Sequence, residues 1–577
     1  MDCFRQDKKL IIISVFIICI YLIRIVNLDS DVPVYNLSNY MQLDENYYVY
    51  DGVLLARPEL ANALGELDKS GIKSWPTSDC WTANVLAILT FKVFGNNYYG
   101  LRMPSVIAGL ITLLLILHII LRDQRKKAGL TIFIPLVFYV LSFGFLLSTR
   151  IMEPSVFRAM WTVIFFWISG RVDLIKNRYL KAIIYGIAGG FCIALSYPSN
   201  VFILAAIGLK YFIGWLCEKE TKVSTCFKET FAVLIGLASS ILMAEPIYYL
   251  VHKRHYVSNF FLDVTYQSDA LIDFSISALK DNVCEYIKAN TTIYYPAVFV
   301  IFTISTVWCL YKGIKDKDQS RLLTALLVSM HFTYCFLVAD FTTRKAAVIF
   351  PMIILGLYYM IQDWDELIRF VSENKLKTIY KIAFSLETLL LMYFSYRKVA
   401  EIKGAVANSG IHVILVLMEA QLIGLLGLIW WKQIRGFSAI CVLTILICLV
   451  PSVILDEHVI FELNKTEKQT MVQIGSIVGN NPVMGGWAQA FSLYNEIIPL
   501  TSKYDVNLGE NGTRKFQYYS DMEEVQYYLG DDDWEFLESL SNGRDYKWVM
   551  IKQFETDFMI DNVNNKHDNV YLFEKIY

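Results

Sequence analysis

The sequence predicts a mainly α-helical polytopic membrane protein, a bundle of about thirteen transmembrane helices followed by a small outer α/β domain at the C-terminal end. Three observations carry that expectation. First, 55% of the 577 residues are hydrophobic and 18% are charged, against about 45–50% and about 25% in soluble domains. Second, apolar runs of roughly the length of a helical span, about 17–25 residues, recur along the chain as far as residue 455. Third, the composition turns polar and acidic beyond that point. The net charge of -2 gives no reason to expect a nucleic-acid partner. The 11 cysteines are scattered, many of them inside apolar runs, with no CxxC or Cys/His spacing. Neither a zinc site nor a disulfide framework is therefore expected.

The first apolar run, Leu10 to about Val26, follows Arg5, Lys8 and Lys9 and has no small-residue cleavage site after it. It reads as an uncleaved first span with a cytoplasmic N-terminus. Further spans are expected at about 104–121, 129–148, 155–170, 181–197, 200–216, 230–250, 293–311, 322–339, 345–361, 379–396, 411–431 and 437–455. Alternating from an inside N-terminus, the inside loops are 122–127, 171–181, 218–229, 312–321, 362–381 and 432–435. Each is rich in Lys and Arg, as the positive-inside rule requires. Of the short outside loops, 148–153 holds only Arg150 and 196–200 holds no basic residue.

Residues 1–455 thus form a membrane domain with long outer loops at 28–103 and 252–292, and residues 456–577 form an outer domain. Within the first outer loop, 53–67 has the pattern of an amphipathic helix and 80–94 that of a helix lying at the membrane interface. In the tail, Gly479-Asn480-Asn481-Pro482 and Asn511-Gly512 mark turns. Short strands are expected at 547–551 and 569–573, and helices near 522–529 and 534–540. Asp531-Asp532-Asp533 reads as a solvated loop.

Charged groups at the edge of a hydrophobic belt are costly and so become functional candidates. By parity one face gathers Asp44, Glu45, Asp79, Arg102, Arg150, Glu153, His252 to His255 with Arg254, Asp340, Arg344 and Lys345. Guanidinium and ammonium groups hold a lipid-linked phosphate. A carboxylate accepts the proton of an acceptor hydroxyl or amine as it attacks an anomeric carbon. With phosphate as the leaving group, protonation by a second acid is less necessary, so one base and a cationic cradle suffice. The plainer readings are interfacial snorkelling for each arginine and a solvated surface pair for Asp44-Glu45. No organic cofactor is expected, and a divalent ion held by two or three outer acids is left open.

Several stretches together carry a resemblance. Asp44-Glu45 lies in the first outer loop, Phe94-Gly95 and Arg102-Met103-Pro104-Ser105 lead into the second span, and Arg150-Ile151-Met152-Glu153-Pro154 follows the third. This set resembles the GT-C superfamily of membrane glycosyltransferases, in the branch of the lipid A aminoarabinose transferases and protein O-mannosyltransferases. The resemblance implies a polyprenyl-phosphate sugar donor, a lipid, glycan or protein acceptor, and transfer at the outer face of a plasma membrane. It implies Asp44 as general base, Glu45 as its support, and Glu153 as a supporting or acceptor-binding acid. Arg102, Arg150, Arg254 and Arg344 become the phosphate-holding candidates, Arg344 foremost, with Asp79 and Tyr47 in the substrate-binding set. The chain departs from the family pattern at Met103, where leucine is usual, and at Glu153, where aspartate is. Tyr47 stands where an arginine is common, and Asp79, with Trp75-Pro76 upstream, stands in the region of a lysine-proline-proline. The Trp-Trp-Asp of oligosaccharyltransferases is absent, since Trp430-Trp431 precedes Lys432.

Two other classes make different demands. A transporter or lipid flippase predicts inverted repeats with broken helices at matching positions, and no internal repeat is visible. A non-catalytic glycan-binding scaffold predicts that the tail binds sugar and that the acid pair is dispensable.

Overall fold

The computed structural model describes residues 2–30, 45–69, 80–123, 133–196, 198–217, 223–253, 255–258, 275–277, 279–284, 296–337, 347–373, 377–402, 465–502, 505, 510–531, 533–561 and 566–577. The chain divides into two compact units. The first comprises Met1–Arg24, Val106–Thr149 and Pro154–Val459. The second comprises Ile25–Ser105, Arg150–Glu153 and Ile460–Tyr577.

Helices coincide with each of the eleven expected spans that the described residues reach, from Asp2–Leu22 to Lys377–Ile402. The expected spans 411–431 and 437–455 lie outside the described residues. One expected span, 129–148, is corrected: it is two helices, Ile134–Leu141 and Phe143–Arg150, broken where Ser142 turns extended (φ -74, ψ 118). By length and composition, two helices, Tyr98–Asp123 and Val223–His252, are long and apolar enough to cross a membrane. The Val223–His252 helix exposes Phe227, Phe231, Leu234, Leu242 and Leu250, large apolar side chains that are costly in water.

Small residues set the closest approach in the first unit. Gly186 and Gly190 lie one turn apart on the Arg178–Ala194 helix, and Gly236 and Ser240 do so on Val223–His252. A Cβ added at Gly186 would overlap the Val233 carbonyl, one at Gly236 the Ile183 carbonyl, and one at Gly190 the Ser240 hydroxyl. Small residues of this kind let two helix backbones approach closely.

The second unit holds the outer-loop helices and the tail. The expected helix over 53–67 is two helices, Tyr50–Ala56 and Pro58–Leu67, because Pro58 disfavours a helical residue before it and Arg57 sits at φ -121, ψ 75. The expected interfacial helix forms as Trp81–Phe94 and leaves Leu89, Val93 and Phe94 exposed. The tail contributes a five-stranded sheet in the order β2-β1-β3-β5-β4. Its strands are β1 (Pro482–Met484), β2 (Ile498–Pro499), β3 (Tyr527–Gly530), β4 (Lys547–Asp561) and β5 (Lys566–Ile576). β1 pairs in parallel with β2 and β3, and β5 pairs antiparallel with β3 and β4. The helix expected near 522–529 is corrected to a turn over 522–526 followed by strand, because Tyr527, Tyr528 and Leu529 are zipped along β5, the first two against β1 as well. The expected helix near 534–540 forms as Trp534–Ser541, and Glu510–Ser520 is a further helix of this region. They cover a core of Met484, Phe516, Tyr519, Leu537, Trp548 and Phe573, against which Leu64 and Leu67 of the outer-loop helix also pack. Asp531 accepts from the Trp487 indole (2.7 Å) and Asp533 from the Tyr528 hydroxyl (2.6 Å), so both carboxylates tie the fold rather than face solvent alone.

Candidate functional site

The site is built where three stretches of the second unit meet. Residues 26–30 follow the first helix, residues 45–49 open the outer-loop helices, and residues 150–153 link Phe143–Arg150 to Pro154–Val172. Arg102 joins them from the second turn of Tyr98–Asp123. Its guanidinium donates to both oxygens of Glu45, through Nη2 to Oε1 at 2.8 Å and Nε to Oε2 at 2.9 Å. Its Nη1 donates to the carbonyls of Leu28 (3.0 Å) and Ser30 (2.6 Å). The backbone N–H of Met152 donates to Glu45 Oε2 at 2.9 Å. Both members of the pair are shut from solvent, Arg102 at 1% and Glu45 at 0% exposure.

A two-pronged guanidinium–carboxylate pair is among the stronger charge-assisted contacts. Burial pushes the Glu45 carboxyl up from its ordinary value, and Arg102 and the Met152 amide pull against that push. The guanidinium lies over the Tyr98 ring, 3.8 Å from its centroid, and the Tyr98 hydroxyl donates to Glu467 at 2.6 Å. Tyr98 and Arg102 stand four residues apart, one above the other on a helix face.

Arg150 donates to the carbonyls of Val26 (2.8 Å) and Asn27 (3.0 Å). Glu153 is buried at the end of the same stretch, immediately before Pro154 opens the next helix. Tyr47 is wholly buried and donates its hydroxyl to the carbonyl of Gly486 at 2.7 Å. Its neighbour Asn46 donates to Gln489 O (2.8 Å) and Ser492 Oγ (3.0 Å). The loop that carries the acid pair is therefore pinned to the tail segment 486–492.

Of the residues the sequence singled out, the structure brings Glu45, Tyr47, Arg102, Arg150 and Glu153 into one unit. Asp44, Asp79, Arg254 and Arg344 lie outside the described residues, as do Asp340 and Lys345. His255 lies in the first unit, exposed, with Nδ1 2.7 Å from the Glu245 carboxylate. Sequence reasoning missed Asp29, Asn46, Tyr98, Glu467, Lys465 and Lys468. The four-residue spacing of Tyr98 and Arg102 was the one local signal; the others meet their partners across hundreds of residues. Among the described residues no three His, Cys, Asp or Glu side chains gather as a metal ion requires.

No protein-family model and no curated protein sequence matches the chain. Solved structures do. ArnT from Cupriavidus metallidurans, a lipid A aminoarabinose transferase, aligns in its apo state with a TM-score of 0.57 at 10% identity, covering 98% of each chain. The same protein bound to undecaprenyl phosphate aligns with a TM-score of 0.56 at 10% identity, covering 97% of each. At that identity the likeness is one of fold, and it is the GT-C fold that the sequence resemblance implies.

Proposed function

We propose that this chain is a GT-C glycosyltransferase that moves a sugar from a polyprenyl-phosphate donor to an acceptor at the outer face of the plasma membrane. The observation that carries the reading is the fold shared with ArnT over nearly the full length of both chains, and the Asp44-Glu45 pair on which the sequence resemblance rests agrees with it. ArnT binds undecaprenyl phosphate, a lipid of the class this reading requires. In this reading the chain crosses the membrane about thirteen times, with a cytoplasmic N-terminus and residues 456–577 outside. The acceptor is a lipid, glycan or protein.

Asp44 is the general base. It accepts the acceptor's proton as the acceptor oxygen or nitrogen attacks the anomeric carbon, and the bond to the phosphate oxygen breaks with the lipid phosphate leaving. Glu45, bonded to Asp44 in the chain, has both oxygens committed to Arg102 and Met152. That suits an anchor for the base rather than a second proton carrier. Arg102 and Arg150 tie residues 26–30 and 150–153 around the anchor, and Glu153 supports acceptor binding. Arg254 and Arg344 serve the donor phosphate.

The test is transfer from a polyprenyl-phosphate sugar by membranes carrying Asp44→Asn. Loss of a positioned general base lowers the rate by about 100- to 10000-fold. Transfer at the wild-type rate would remove Asp44 from the base role, and absence of transfer by the wild-type chain with any such donor would remove the reading itself.

A further inference from the structure

Behind the first helix, the short stretch Val26–Ser30 collects four cations from three distant parts of the described chain. Arg150 takes the carbonyls of Val26 and Asn27, and Arg102 those of Leu28 and Ser30. Lys465 and Lys468 both donate to a single oxygen, Asp29 Oδ2, at 2.8 and 3.0 Å.

The two lysines differ from the two arginines. Both arginines are buried, whereas the Lys465 and Lys468 side chains are 33% and 32% exposed. One carboxylate serves two ammonium groups at the solvent-reaching side, while Glu467, between them in the chain, is buried and accepts from the Tyr98 hydroxyl. Each ammonium has three N–H donors, and the bond to Asp29 uses one of them. Lys468 also lies over the Tyr494 ring, 4.9 Å from its centroid, which fixes the side chain. Tyr494 packs edge-on against Tyr98 with centroids 5.6 Å apart, and Tyr98 carries Arg102. The lysine pair is thus the solvent-reaching end of a packed chain of side chains whose buried end is the Arg102–Glu45 pair.

We propose that Lys465 and Lys468 form a phosphate-binding site, whose ligand in the reaction is the phosphate of the lipid-linked donor. The assignment of the ligand rests on the transfer reading above. Lysine binds phosphate as a point charge. Asp29 takes one donor from each ammonium group and so competes with a phosphate for them. Its burial disfavours the charged form, yet the two lysines outweigh that and keep its carboxyl below the ordinary range.

The experiment is calorimetric titration of the purified full-length protein in detergent with undecaprenyl phosphate, undecaprenol and inorganic phosphate. The double variant Lys465→Gln/Lys468→Gln is expected to bind undecaprenyl phosphate at least about tenfold more weakly, with undecaprenol unchanged. Asp29→Asn is expected to tighten phosphate binding, because it frees both ammonium groups; a bridge that served the fold alone would not do this. The triple variant with Asp29→Asn added leaves no carboxylate stranded and guards against misfolding. Wild-type affinity for undecaprenyl phosphate in the lysine variants overturns the site while the transfer reading stands. Weaker binding by Asp29→Asn overturns it as well. If the wild-type chain binds undecaprenyl phosphate no better than undecaprenol, the transfer reading fails; lysine-dependent binding of inorganic phosphate then keeps the site, and its absence ends it. Lysine-dependent displacement of undecaprenyl phosphate by phosphatidylglycerol would overturn the donor assignment in favour of bilayer headgroups.

Discussion

The helix pair Arg178–Ala194 and Val223–His252 and the charged cluster around Glu45 are both places where distant stretches of chain come close, and they are held by opposite means. In the pair, Gly186, Gly190 and Gly236 remove side chains so that backbone meets backbone. In the cluster, full charges are taken out of water and each must find a partner. The first therefore tolerates changes of polarity poorly only where volume is added. The second fails when one charge is left alone.

The largest expected effect comes from separating the buried charges. Arg102→Met removes the cation that offsets the burial of the Glu45 carboxyl, and breaking such a buried pair costs about 3–5 kcal/mol. Thermal unfolding in detergent should show the drop, and Glu45→Gln combined with Arg102→Met should recover part of it, since the two effects are not additive. Full additivity would mean that the pair is not the unit of stability described here.

Gly186→Ala comes next. Its Cβ meets the Val233 carbonyl, backbone that has little room to move, and overpacking of this kind costs about 1–3 kcal/mol. Gly208, on the Phe202–Cys217 helix, is the contrast: nothing lies within 4 Å of its added Cβ, so Gly208→Ala should be neutral or stabilising by up to about 1 kcal/mol. Equal losses at both positions in the same unfolding assay would dismiss close approach as the reason for the glycine at 186.

The smallest effect is one of pH. The Asp29 carboxyl titrates below its ordinary value of 3.8, so its contribution to stability is complete above that pH and is lost as the pH falls below it. Unfolding curves recorded down to pH 3 should show a shallower acid slope for Asp29→Asn than for the wild-type chain. An unchanged slope would show that the lysines do not favour the charged carboxylate.

How much was legible follows the range of each interaction. The helices of the apolar region were readable because an apolar run is a local signal, and the eleven expected spans that the described residues reach meet helices. Arg102 stood out for its place at the head of a span, and Glu45 for its place in the acid pair, yet nothing local joins them across 57 residues. Glu467 and the two lysines carried no signal at all, since their partners lie 369 to 439 residues away. Tyr527-Tyr528-Leu529 misled because amphipathic periodicity is ambiguous in a short run, and pairing with β5 decided it. The break at Arg57-Pro58 was written in the chain and should outrank any periodicity drawn across it.

The separation of 436 residues between Asp29 and Lys465 has a consequence for the order of assembly. A ribosome makes Asp29, Tyr98, Arg102 and Arg150 long before Glu467, Lys465 and Lys468. The Tyr98 hydroxyl and the Asp29 carboxylate must then wait, without these partners, until the helices up to residue 402 have been synthesised. A nascent chain stalled before residue 465 would hold these groups unfinished, and completion of the cluster marks the moment at which synthesis has reached the tail.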